Sequence, residues 1–148
     1  MCIETVRYDG ELLKDVRWDE LNLTKEQIYI LCLIAVKQNG LALQYVKNPT
    51  EDIYIEALKQ DRHLIRYIKD KDRYLEEFDI KYFKKQGKAR DVIAIEEDGE
   101  WLFTIGCQTD IDKETFIDRI YNEGRGFDPE KGINLHRQVY LNFLKDFY

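Results

Sequence analysis

A chain of 148 residues can bury one good core, or two small ones sharing an interface, and surface-to-volume scaling excludes anything larger. With 44% hydrophobic and 35% charged residues it has enough apolar material to offset chain entropy, which excludes a disordered polymer. Its formal charge of −6, from 23 basic and 29 acidic side chains, repels a nucleic-acid duplex or a membrane surface on average and attracts a basic partner.

The longest apolar run, IYILCLIAV from Ile28 to Val36, is far short of the roughly 20 residues that cross a bilayer. The opening MCIETVRYDGELL has neither a basic leader nor a continuous apolar stretch, so a cytoplasmic location is expected. Cys2, Cys32 and Cys107 are odd in number and widely spaced, which suits free thiols in a reducing compartment.

In chain order, the first signal is a repeat. AVKQNGLALQYVK (35–47) recurs at an offset of 22 residues as ALKQDRHLIRYIK (57–69), with identity at Ala35/Ala57, Lys37/Lys59, Gln38/Gln60, Tyr45/Tyr67 and Lys47/Lys69. A fainter copy, VRYDGELLKDV (6–16), aligns with 36–46 at an offset of 30. Each unit reads as two short helices. Thr24 and Gln27 form a capping box that opens a helix through Ile28 to Lys37. Asn39-Gly40 is expected to break it, since glycine tolerates the left-handed conformation. Leu41, Tyr45 and Val46 then recur at helical spacing, and Asn48-Pro49-Thr50 stops that helix and caps the next. In the second copy Asp61-Arg62 replaces Asn39-Gly40, so Asp61 is expected to cap the following helix.

The pattern A-V-K-Q-N-G-x-A-L-x-Y-V-K, spaced at 22 residues, resembles a bacterial and viral repeat family of unknown function over residues 6–70. The resemblance implies a helical array with no assigned activity. Stacked helical pairs of that kind build a slab that serves as scaffold or as a binding face.

The pattern fails from Lys71. RYLEEFDIKYFKKQGKAR fits both strand alternation and a helical face, and a helix over 74–86 is the expectation. Lys81, Lys84, Lys85, Lys88 and Arg90 crowd the end of this stretch beside Tyr82 and Phe83, a combination that binds phosphates and stacks bases or simply solvates a helix end. DVIAIEEDGEWLFTIGCQ is a hairpin about Asp98-Gly99, the dipeptide of a type I′ turn, with Glu97 opposite Glu100, Ile95 opposite Leu102 and Ala94 opposite Phe103. Both of its faces are apolar, so it should be covered on both sides or extended by another strand. Two helices follow. Asp110 or Asp112 can cap the first, striped with Phe116, Ile117, Ile120 and Tyr121, and Asn134 can cap the second, with Leu135, Val139, Tyr140, Phe143, Leu144 and Phe147. NEGRGFDPEKGI joins them as a loop or a contact surface.

Chemistry has few candidates. Helical periodicity places His136 on the apolar face of the last helix, where a core histidine bonded to a carbonyl is the plain reading. Cys107, at a strand end and expected to precede a helix directly, could pair with it as a cysteine nucleophile, with Gln108, Asp110 or Asp112 orienting. Alternation instead puts Cys107 on the face of Trp101 and Phe103, which favours burial. No metal spacing and no cofactor motif is present in the sequence.

The expected architecture is α+β: N-terminal short helical repeats (1–70) packed against a β-hairpin with two C-terminal helices (71–148). The expected function is that of a small acidic protein-binding module, bacterial or phage, acting as an inhibitor of a basic nucleic-acid enzyme in the manner of anti-CRISPR or toxin-immunity proteins. Glu96, Glu97, Asp98 and Glu100 at the hairpin tip are its contact residues. The alternatives are an enzyme using Cys107 and His136, and RNA binding through residues 81–90.

Overall fold

The computed structural model describes residues 9–122, 127–128, 130, 133–134 and 136–147. The chain divides into two compact units, Met1–Tyr74 and Leu75–Tyr148.

In the first unit each repeat ends in a six-residue 3₁₀ helix: Gly10–Asp15, Gly40–Tyr45 and Arg62–Tyr67. Their predecessors Asp9, Asn39 and Asp61 are extended, and each side chain accepts the N–H two residues on, from Glu11 at 2.9 Å, Leu41 at 3.0 Å and His63 at 2.8 Å. This local bond competes with α-helical pairing and starts the tighter turn. The faint upstream copy thus has the same local structure as the other two. Helix α1 (Lys25–Gln38) opens on the reciprocal Thr24/Gln27 capping box, and α2 (Glu51–Gln60) follows Thr50.

The expected second short helix of each repeat is present, as a 3₁₀ helix. Two details differ from the expectation. Thr50 stands at the N-cap without a side-chain bond, and the acidic Glu51 and Asp52 of the first turn supply the favourable charge there. Gly40 is not left-handed: Asn39 makes the break in extended conformation, φ −147° and ψ 111°. Close packing favours the glycine here, because a Cβ at position 40 would lie 2.7 Å from Leu64 Cδ1 and that side chain would have to shift.

The three 3₁₀ segments pack in series, and α1 packs against α2. Leu31, Ala35 and Val36 of α1 have their repeat equivalents in Ile53, Ala57 and Leu58 of α2, and all six are buried. A four-residue helix α3 (Asp72–Leu75) begins a further turn, with Tyr74 buried edge-on against Tyr54 at 5.8 Å.

The second unit is built on a four-stranded antiparallel sheet in the order β1-β2-β3-β4: Ile80–Phe83, Val92–Glu97, Glu100–Ile105 and Gln108–Ile111. The fold is therefore α+β. The hairpin register is as expected, with Glu97 opposite Glu100, Ile95 opposite Leu102 and Ala94 opposite Phe103. Asp98 and Gly99 take the two positive φ angles, 52° and 84°, that the tight turn needs. The hairpin is extended on both edges.

The helix expected over 74–86 is overturned. It stops after Leu75, Asp79 takes φ 52°, and β1 pairs Ile80 with Ile95 and Phe83 with Val92. A lone two-stranded ribbon is marginal, so the ambiguous segment gains more by lending a third strand than by forming an isolated helix. One face of the sheet carries Phe83, Val92, Ala94 and Phe103. Against it pack Phe116 and Ile120 of α4 (Lys113–Asn122) and Tyr140, Phe143 and Leu144 of α5 (Arg137–Leu144). Phe103 and Phe116 stack at 4.8 Å and 3°. On the other face Ile80, Ile93 and Ile95 are also buried.

Asp112 caps α4 by accepting the Thr115 N–H at 2.6 Å, and that bond holds its carboxyl below the usual range. Asn134 is not the cap of α5. It lies in a short strand, β6 (Ile133–Asn134), paired with β5 (Phe127–Asp128), and His136 is the residue preceding the helix. Leu135 and most of the loop from 123 to 132 lie outside the described residues.

Candidate protein-binding surface

Charge is unevenly shared between the units. Met1–Tyr74 holds 12 basic and 13 acidic side chains, a net of −1, and Leu75–Tyr148 holds 11 and 16, a net of −5. The second unit carries nearly all of the excess.

Strand register collects it further. Because β1 runs antiparallel to β2, the start of β1 lies beside the end of β2, and the Glu96 N–H donates to the Asp79 carbonyl at 3.1 Å. The residues entering β1, Glu76, Glu77 and Asp79, therefore share one end of the sheet with Glu97, Asp98 and Glu100 of the turn, and all six are exposed. Glu96 is half-buried. Glu76, Glu77, Asp79, Asp98 and Glu100 have no ion-pair partner among the described residues. Glu97 directly faces Glu100, a like-charge cross-strand pair of the kind that destabilises a hairpin.

The basic stretch does not assemble into one patch. Lys81 lies in β1 with its Nζ 5.1 Å from the Trp101 ring centroid and 4.4 Å from that of Phe147, and it donates to the backbone carbonyl of Asp146. Arg90 packs against the backbone of Gly106, where a Cβ would lie 2.1 Å from Nη1. Lys84, Lys85 and Lys88 remain exposed in the β1–β2 loop. The neighbouring aromatics are engaged as well: Phe83 is in the core, and the Tyr82 hydroxyl donates to Asp91 at 3.1 Å. None of this offers a run of open rings for base stacking.

Cys107 and His136 are placed differently from the expectation. Cys107 is exposed in the turn between β3 and β4, after Gly106 at φ 62°, because the chain reverses there and alternation no longer governs its face. Strand β4 separates it from α4, so no helix N-terminus follows it directly. His136 is half-buried and precedes α5, ahead of its apolar stripe. No hydrogen bond joins the thiol to any group among the described residues. Asp110 turns at φ 53°, with its N–H on the buried Thr104 Oγ1 at 3.1 Å.

Among the described residues no group of three His, Cys, Asp or Glu side chains is arranged to hold a metal, and no helix is long and apolar enough to cross a membrane. Sequence reading missed the contribution of Glu76, Glu77 and Asp79 to the acidic end. The signal that could have found them is the strand alternation of Phe78, Ile80 and Tyr82, which brings this stretch beside the hairpin once it is read as β. No family model, curated protein or solved structure matches this chain.

Proposed function

We propose that this protein is a binding module whose acidic sheet end docks on a basic surface of another protein. The basic clefts with which nucleic-acid enzymes hold phosphate are the natural class of target, and occupying one would inhibit the enzyme. The observation that carries this reading is the exposed set Glu76, Glu77, Asp79, Asp98 and Glu100, gathered by strand register and lacking cationic partners among the described residues. Stability alone does not ask for such an arrangement, since like charges at close range oppose folding.

The test is capture of partners from nuclease-treated bacterial lysate by the tagged chain, followed by binding of the purified partner at rising ionic strength. A protein partner lost in Asp98→Lys/Glu100→Lys, with an association rate that falls as salt rises, supports the reading. A partner retained by the charge-reversed chain, or nucleic acid as the captured species, overturns it.

A further inference from the structure

A groove of about 840 Å³ follows the outer edge of β1, and all of its lining comes from the second unit. It is an open groove, not an enclosed cavity. Leu75, Ile80, Phe83, Trp101 and Phe143 give it apolar walls, and Glu76, Asp79, Glu96 and Asp146 set carboxylates among them. Two lysines also line it. Lys81 is held over the Trp101 and Phe147 rings and by the Asp146 carbonyl, and Lys84 is exposed. Of these carboxylates, Glu76 and Asp79 are exposed and have no ion-pair partner among the described residues.

Resting on the binding-module reading above, we infer that this groove is the anchor site for a short basic segment of the partner protein, an apolar side chain flanked by arginines or lysines. The apolar side chain would be desolvated against Leu75, Trp101 and Phe143. The flanking cations would lie on Glu76 and Asp79. The acidic turn at Glu97, Asp98 and Glu100 then steers the encounter, while the groove provides residence. An acidic or purely polar segment would lose on one count or the other.

The experiment titrates three blocked heptapeptides, KRKLKRK, KRKSKRK and EEELEEE, into the full ¹⁵N-labelled chain. It follows the Trp101 indole N–H and the amides of Ile80–Lys84, with the Trp18 indole in the first unit as internal reference. KRKLKRK should shift Trp101 and the β1 amides while leaving Trp18 in place, KRKSKRK should bind several-fold more weakly, and EEELEEE should not bind. Glu76→Gln/Asp79→Asn, which keeps a residue suited to positive φ at position 79, should weaken KRKLKRK by about fivefold.

Equal response to KRKLKRK and KRKSKRK, response to EEELEEE, shifts confined to residues 97–100, or no binding overturns the groove assignment. If the lysate partner still depends on Asp98 and Glu100 in that event, the binding-module reading stands without the groove. If the groove binds KRKLKRK but the captured partner ignores Asp98 and Glu100, it is the docking face that fails. Self-association that protects the groove, read by sedimentation, would make a second copy the occupant and also overturn the assignment.

Discussion

Gln60 and Gly40 are joined across successive repeats: Gln60 Oε1 accepts the Gly40 N–H at 2.9 Å, and its Nε2 donates to the Val36 carbonyl at 2.5 Å. The same Nε2 also donates to the Lys37 carbonyl at 3.3 Å, so one side-chain amide satisfies three backbone groups of the preceding repeat. Gln38 makes the equivalent bond one repeat earlier, accepting the Gly10 N–H at 2.5 Å. The repeated glutamine and the glycine that receives it form a ladder, and the ladder requires the backbone to come close. The third 3₁₀ segment is the last in the unit and has Arg62 in the glycine's place.

Replacing either glycine should therefore destabilise the first unit. Gly40→Ala puts a methyl group 2.7 Å from the Leu64 side chain, and overpacking of this kind costs about 1–3 kcal/mol. Gly10→Ala should cost more, because the obstacle is the Ala35 carbonyl oxygen at 2.3 Å and backbone yields less than a side-chain end. Urea unfolding midpoints measure both. Unchanged midpoints would refute the close approach.

Removing the amide tests the hydrogen bonds separately from the sterics. Gln60→Met keeps the length of the side chain but removes the partner of the part-buried Gly40 N–H and of the Val36 and Lys37 carbonyls, at a cost of about 1–3 kcal/mol. Faster amide exchange at Gly40 should accompany the loss, and unaltered exchange would show that another group holds it.

The two described cysteines should part cleanly under alkylation. Burial pushes the Cys32 thiol up to about 11, leaving about one molecule in a thousand as thiolate near pH 8, whereas Cys107 is exposed. Iodoacetamide read by peptide mass should modify Cys107 in the folded protein and reach Cys32 only on unfolding. The same assay on His136→Ala checks the enzymatic alternative: a fall in Cys107 labelling would revive it.

Tyr140 links the β1–β2 loop to the last helix, its hydroxyl accepting the Arg90 N–H at 2.9 Å. Tyr140→Phe should cost about 1–2 kcal/mol, the price of an unpaired backbone donor. Burial raises the pKa of this phenol above the ordinary 10.0. Its contribution is therefore fully present below pH 10 and is lost as pH rises through the folded-state value. Tyr29 and Tyr74 are raised as well, so an alkaline titration of phenolate absorbance should show late-titrating tyrosines, one fewer of them in Tyr140→Phe.

Signals that depend on near neighbours in the chain were legible. Thr24 and Gln27 cap α1, Asp61 caps the segment after it, Asp98-Gly99 sets the hairpin register, and the Phe116/Ile120 and Tyr140/Phe143 stripes face the core. Each is decided within about five residues, where backbone geometry leaves few choices. The acidic tip at Glu97–Glu100 was legible for the same reason.

Long-range pairing decided the rest. Residues 80–83 satisfy helical and strand periods alike, and only the unpaired edge of β2 selects the strand. Gly40 looks like a turn residue until Leu64 arrives beside it from 24 residues along the chain. Cys107 leaves its expected face because the chain reverses into β4, and His136 falls outside the helix whose stripe it seemed to share. By itself the sequence determined the repeat, the caps, the turn and the excess of acid. The fold decided which of those acids stand together and which backbones touch, because both depend on which strand edge or helix face is left to be satisfied.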